Sequence, residues 1–325
     1  LNVAERDTLL RIEGLNVSFP SGDGRVTILD NVSFEVLGNE IVGLVGESGS
    51  GKTMISLTIM GFLPRSGRIE GGEVWFGPHN LLEHTEEEMS RVRGRQIAMI
   101  FQSTRSALNP LMRVGDQVAR VYRIQRGLGP GQAKSEAVKA LTRMGIPNAE
   151  QRARAYPHQL SKGMCQRVLI AMMVACEPAL LIADEPTTGL DVTIQAQIFE
   201  LIKDVQQATE ASILLITHDL GVVAETCQRV VVMHAGQVAE TATVESLFAK
   251  PLHPYTHRLL HSVLRVDKTV EMPKVDAGLS EEVAYSVAGC RFAPRCPRAT
   301  SRCWDEQPSR ELAGPEHWVS CHNWK

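Results

Sequence analysis

Hydrophobic and polar positions alternate in "LLRIEGLNVSF" and again in "TILDNVSFEV", on either side of the turn-rich "PSGDGR", and this predicts an antiparallel strand pair near the start of the chain. "EIVGLVGE" is a short continuous apolar run, the mark of a buried strand. It leads into a glycine-rich loop and then into "KTMISLTIMGF", a helix expected to end near Pro64. "GGEVWFG" and "RQIAMIFQ" read as further strands, separated by "HTEEEMSRVRG", in which Thr85 and Glu88 have capping-box spacing.

From about Ser103 to Pro178 helical patterns take over, in "QAKSEAVKALTRMG" and in "SKGMCQRVLIAMMVAC", where Ser161 stands as a cap. Strands return in "ALLIADEP", "SILLITHD" and "RVVVMHAGQVAE", with the helix "TIQAQIFELIKDVQQ" between the first two. Strand and helix in alternation predict an α/β fold with a parallel core sheet and crossover helices, plus an antiparallel β subdomain and a helical subdomain. After "HPYTHRLLHSV" the rhythm is lost. "DKTVEMPKVDAGLSEEVAYS" is polar and reads as a linker to a small cysteine-rich appendage. The expected division is a main domain over residues 1–262, its helical part at about 103–178, and a linker with tail over 263–325.

Composition narrows the function classes. With 43% hydrophobic residues, 22% charged residues and a net charge of -3, the chain lacks the basic excess of a nucleic-acid binder. Its longest apolar runs, such as "VLIAMMVAC", fall short of the roughly twenty residues that span a bilayer, so a membrane role is expected to come through a partner. "LNVAERDTLLRIEGL" lacks the layout of a signal peptide, which places the chain in the cytoplasm and predicts that its cysteines are reduced thiols or metal ligands.

"GESGSGKT" fits G-x-x-x-x-G-K-[ST] between a predicted strand and a predicted helix. The backbone N–H groups of Gly46, Glu47, Ser48, Gly49, Ser50 and Gly51 are then expected to cradle phosphate oxygens at a helix N-terminus. Lys52 reaches the outer phosphates, and the Thr53 hydroxyl ligates Mg²⁺. In "LLIADE", Asp184 and Glu185 fall at the C-terminal end of a core strand, where ligands bind in open α/β sheets. Asp184 is expected to hold Mg²⁺ and Glu185 to act as base or water-positioner at the γ-phosphate.

"LSKGMCQR" at residues 160–167 resembles the signature of ATP-binding-cassette (ABC) ATPases, a P-loop NTPase family, and the other cassette elements follow in order. Gln102 in "IFQ" looks like the glutamine-loop residue, also a Mg²⁺ neighbour. Asp191 in "TGLD" looks like the loop after the second carboxylate, His218 in "ITHD" like the switch histidine, and Phe19 like the aromatic that stacks on adenine. The resemblance covers residues 8 to about 250. It implies a head-to-tail dimer in which Ser161 and Gly163 of one cassette face the ATP bound on the other. Lys162 departs from the pattern, since the signature usually has glycine there. A negative φ at Lys162 would let the lysine fit without strain and bring its charge near the γ-phosphate. "SALNP", "ADEPTTGLDVTIQAQI" and "HPYT" look like the peptide and nickel importer group. That group implies a second, homologous ATPase subunit, two transmembrane permease subunits and an extracytoplasmic substrate-binding protein, with this chain at the cytoplasmic face of the membrane. Cargo stays open between di- or oligopeptides and nickel, glutathione or opines. A soluble cassette acting on nucleic acid or ribosomes is the other class, and it typically carries paired cassettes or long coiled-coil insertions.

Four of the seven cysteines fall in the tail, at Cys290, Cys296, Cys303 and Cys321. The spacing lacks the tight pair typical of zinc sites, and a reducing compartment disfavours disulfides. Four thiolates suit a four-iron cluster; zinc, with His317 or His322 replacing a thiolate, and no metal at all are the alternatives. Similar tails in dipeptide and oligopeptide importer subunits carry a [4Fe-4S] cluster, which the resemblance therefore implies here. Trp304, Trp318 and Trp324 would add core to so short a segment. Cys165, Cys176 and Cys227 lie in apolar helical contexts and read as inert buried thiols.

Overall fold

The alternation near the start forms the expected pair. Leu10, Ile12, Leu15 and Val17 of the first strand are buried, as are Leu29, Val32, Phe34 and Val36 of the second, and the two run antiparallel from Thr8↔Leu37 to Ser21↔Gly24. The computed structural model describes residues 7–22, 24–102, 107–261, 284–285 and 287–325. In chain order its strands are β1 (Thr8–Ser21), β2 (Gly24–Leu37), β3 (Ile41–Val45), β4 (Arg68–Phe76), β5 (His79–Asn80), β6 (Ile97–Ile100), β7 (Leu180–Asp184), β8 (Ser212–Ile216), β9 (Arg229–His234), β10 (Gln237–Thr243), β11 (Glu311–Gly314) and β12 (His317–Val319). The chain divides into two compact units, one made of the segments up to Glu83 and from Thr217 onward, the other of His84–Ile216.

In the first unit, β2-β1-β4-β5 make a four-stranded antiparallel sheet. The wholly buried β3 pairs in parallel with β9, and β9 turns back antiparallel into β10. The sheet then continues with residues expected to stand apart. β12 pairs antiparallel with β10 through Glu240↔Val319 and Thr241↔Trp318, and β11 pairs with β12. The tail is therefore not a separate appendage but an edge of this sheet. Burial accounts for this: Val319 is fully buried with Leu252 and Cys321, and Ala313 and Trp324 cover them. The predicted linker lies outside the described residues, apart from Ala284 and Tyr285.

In the second unit, β6, β7 and β8 run parallel in that order, each strand wholly buried. The crossover helix Val192–Thr209 buries Ile198, Phe199, Leu201, Ile202 and Val205. Between β6 and β7 the two expected helices form at Pro130–Arg143 and Lys162–Val174, and two more, Val114–Arg126 and Ala149–Arg152, join them. Thr85 and Glu88 close their capping box at Glu86–Val92, satisfying two N–H groups that would otherwise lack partners.

Candidate functional site

In the first unit, β3 feeds the loop 46–51 and the helix Lys52–Ile59. Gly46 passes so close to β9 that a side-chain carbon on it would lie 2.2 Å from the Met233 carbonyl oxygen, so glycine alone fits. The helix is capped at Gly51 with no side-chain hydrogen bond, the kind of N-terminus that takes an anion. Lys52 is buried at 6% exposure. Its Nζ donates to the carbonyls of Gly46 (2.9 Å) and Glu47 (2.8 Å) and to Ser50 Oγ (3.1 Å), so the ammonium is held at the centre of its own loop. Thr53 is half-buried beside it, and Ser48 and Gly49 are exposed. The Glu47 N–H donates to the Tyr255 hydroxyl at 2.9 Å.

His218 is exposed in the same unit, between Thr217, whose N–H donates to the Leu44 carbonyl at the end of β3, and Asp219, which caps the helix Leu220–Thr226. Phe19 is half-buried in β1 opposite Val26, its ring against Gly67, where an added side-chain carbon would lie 2.8 Å from it.

The second unit gathers the carboxylates. Asp184 ends β7 with 1% exposure. Glu185 follows with φ 45°, a left-handed backbone that costs a non-glycine residue on the order of 1 kcal/mol and re-aims its side chain at the strand end. Its N–H donates to the Ile216 carbonyl, and its Oε2 accepts from Gln102 Nε2 and from Thr188 Oγ1, both at 2.8 Å. The structure thus joins two of the residues singled out, Gln102 and Glu185. It adds Thr188, whose only sequence signal is its place in "EPTTGLD".

At the signature, Ser161 is exposed and caps the helix Lys162–Val174, its Oγ accepting from the Met164 N–H at 3.2 Å. Gly163 packs so closely on Ile194 that an added carbon would lie 2.8 Å from it. Lys162 sits in the first turn outside the left-handed region. Its side chain, expected near a γ-phosphate, instead donates to the Thr188 carbonyl at 2.7 Å. Asp191 is exposed and caps the helix Val192–Thr209 through the Ile194 N–H. Ser161, Lys162, Gly163, Asp191 and Ile194 line a cavity of about 430 Å³.

The tail cysteines are all free thiols, with Cys303 and Cys321 buried and Cys290 and Cys296 half-buried. Burial first, and then one another's charge, push Cys290 up to about 11, and Cys296 and Cys321 are raised for the same reasons. Among the described residues no group of three or more His, Cys, Asp or Glu is arranged to hold a metal ion. The expected iron–sulfur cluster therefore has no support in the arrangement of these residues. Of the other three, Cys165 and Cys227 are buried and Cys176 is half-buried, its thiol pushed up to about 11 by burial.

A strand feeding a glycine-capped loop and helix, and a second strand ending in paired carboxylates, are the parts of a P-loop nucleotide-binding protein. Residues 29–188 match the ABC transporter family model, and residues 239–303 match the model of the oligopeptide/dipeptide transporter C-terminal region. The chain is 46% identical to the oligopeptide transport ATP-binding protein AppD of Bacillus subtilis, covering 93% of this chain and 92% of that one. It is 43% identical to the dipeptide transport ATP-binding protein DppD of the same organism (97% and 94%) and 41% identical to OppD of Escherichia coli (95% and 91%). Among solved structures, cbiO1 of Clostridium perfringens, part of an ABC transporter complex, superposes with a TM-score of 0.65 at 27% identity over 75% of this chain and 91% of that one. A dimeric ATP-binding cassette in a post-hydrolysis state with ADP and Pi superposes with a TM-score of 0.64 at 25% identity over 72% and 98%. This chain belongs to the ABC transporter ATP-binding family.

Proposed function

We propose that this chain is the ATP-binding and hydrolysing subunit that powers import of di- or oligopeptides through a membrane ABC transporter. The observation that carries the hydrolytic part is Glu185, held at the end of β7 by Gln102 and Thr188 next to the buried Asp184. The peptide part is supported by similarity over nearly the whole chain, including residues 239–303, to importer subunits named for oligopeptides and dipeptides. In this reading the loop 46–51, Lys52 and Phe19 bind ATP. Thr53, Asp184 and Gln102 would hold Mg²⁺, which supplies positive charge to the phosphates. Glu185 takes the proton of the water whose oxygen bonds to the γ-phosphorus as the bond to ADP breaks, and His218 orients that phosphate. Ser161, Gly163 and Asp191 serve the nucleotide of a second, homologous subunit.

The further partners proposed are two permease subunits and a substrate-binding protein. Among the described residues no helix is long and apolar enough to cross a membrane, which supports a peripheral subunit. An iron–sulfur cluster in the tail rests on the resemblance of the cysteine spacing alone. About four irons per chain after anaerobic purification would restore that reading, and iron-free protein would end it. The function itself is tested by reconstituting the chain with its permeases in vesicles. Peptide-loaded binding protein should raise ATP hydrolysis several-fold, whereas stimulation by nickel, glutathione or opine alone would overturn the peptide assignment.

A further inference from the structure

The phosphate loop has neighbours from the far end of the chain. Arg295 donates from Nη2 to Glu47 Oε2 at 2.7 Å, and the Tyr285 hydroxyl donates to the Gly49 carbonyl at 2.6 Å. The two donors lie 248 and 236 residues from the loop positions they touch. What holds them there is solid. Phe292, 2% exposed, packs in an aromatic cluster with His234 at 5.3 Å, Tyr255 at 5.5 Å and His253 at 5.9 Å between ring centres. Arg291, also buried, pairs with Asp30 at 3.0 Å and donates to the Ala235 carbonyl. Burial, with Arg295 nearby, pushes His234 down to about 3, so this cluster stays uncharged across the physiological range.

We propose that the C-terminal segment is a positioning element of the nucleotide site, with Arg295 and Tyr285 setting the charge and shape of the phosphate loop. Glu47 places a carboxylate in a loop built to bind a polyanion. That charge opposes phosphate binding wherever it is uncompensated, and the guanidinium of Arg295 compensates it in a half-buried pair where screening by water is reduced. Tyr285 engages the Gly49 carbonyl, so that one backbone dipole of the loop is spent on a phenol rather than left to turn toward an anion. With the Tyr255 hydroxyl accepting from the Glu47 N–H, three side chains from beyond residue 250 hold two loop positions. Neither Arg295 nor Tyr285 touches the reacting atoms; they act through Glu47 and Gly49.

The inference rests on the reading of residues 46–53 as the ATP phosphate loop, and the test separates the two. ATP affinity of the full chain, measured calorimetrically with Mg²⁺, is compared for wild type, Arg295→Ala, Arg295→Lys, Tyr285→Phe, Glu47→Gln and Lys52→Ala, with a thermal melt for each. Arg295→Ala should weaken ATP binding roughly three- to tenfold and Arg295→Lys should recover most of it, because a single positive charge opposite Glu47 is what matters. Tyr285→Phe should weaken binding by a smaller factor. In the Glu47→Gln background, where no carboxylate needs compensating, Arg295→Ala should lose most of its effect, a coupling that a general loosening of the tail would not produce. In the assembled transporter the Arg295→Ala change should appear in KM for ATP more than in kcat. Wild-type or tighter affinity in a folded Arg295→Ala chain, or the same loss in the Glu47→Gln background, overturns the proposal while Lys52→Ala still abolishes binding. Undiminished binding by Lys52→Ala overturns the phosphate-loop reading and the proposal with it.

Discussion

Two short segments of this chain have nearly the same design on paper, a serine- and glycine-bearing turn opening a helix that begins with lysine. They behave differently. At residues 46–53 no side chain caps the helix, and Lys52 turns inward onto three acceptors of its own loop. At residues 160–164 the helix is capped by Ser161 itself, and Lys162 turns sideways to a neighbouring loop. A helix start without a side-chain cap suits an anion; one satisfied by its own serine is rigid and presents an exposed face. In the proposed mechanism the first segment binds this chain's nucleotide and the second meets the nucleotide of a partner.

The largest effect should separate binding from chemistry. Glu185→Gln keeps the shape of the side chain that Gln102 and Thr188 hold, and removes the base. ATP binding should stay near wild type while hydrolysis by the assembled transporter falls about 100-fold or more, measured as kcat. Wild-type turnover would remove Glu185 from the mechanism. Next in size, Ser161→Arg places a bulky cation at an exposed cap. It should leave this chain's own ATP affinity unchanged and cut hydrolysis by the complex roughly tenfold or more. Loss of affinity in the isolated chain would break the distinction between the two segments.

How much of this could be read from the sequence follows from where each feature gets its stability. β1, β2, β3, β7 and β8 announce themselves because burial imprints a period or an apolar run on each. The caps at Thr85 and Ser161 are local and were equally legible. β11 and β12 were not, since four and three residues are too few to carry a period, and what holds them lies in β10. Tyr285 and Arg295 leave no sign in the sequence for a similar reason: their partners lie more than 200 residues away and no local pattern points to them. The cysteine spacing was visible, but spacing does not state how thiols are arranged.

The tail's attachment gives a third, smaller test. Glu240 in β10 is buried, and burial alone would raise its carboxyl. Hydrogen bonds from His317 of β12 and from the N–H groups of His253 and Leu252 outweigh this and hold it below the ordinary value of 4.5. The stability so gained is present above pH 4.5 and lost as pH falls through the lower folded value. Glu240→Gln should cost about 1 to 3 kcal/mol at neutral pH in a denaturant melt, with the gap from wild type closing on acidification below pH 4.5. A gap that persisted unchanged in acid would show that Glu240 contributes through packing and not through its charge. Because the phosphate loop leans on this segment, ATP affinity should fall along with stability.

The smallest effect is expected at Lys162, where the comparison is most delicate. Its backbone lies in the first helical turn, so the lysine carries no left-handed strain that glycine would relieve. Its ammonium lies over Gly189, 2.3 Å from where a side-chain carbon would be, and donates to the Thr188 carbonyl. The same Thr188 donates its hydroxyl to Glu185. Lys162 therefore ties the signature turn to the loop that steadies the proposed base. Lys162→Gly removes one partly exposed charge-assisted hydrogen bond, about 1 kcal/mol, and leaves Ser161, Gly163 and the Gln102 contact to Glu185 in place. Peptide-stimulated ATPase of the full complex should stay within a few-fold of wild type, on the low side if Thr188 then moves more freely. A rise of tenfold or more would reverse the reading, making the tie between Lys162 and Thr188 a restraint on turnover rather than a support for it.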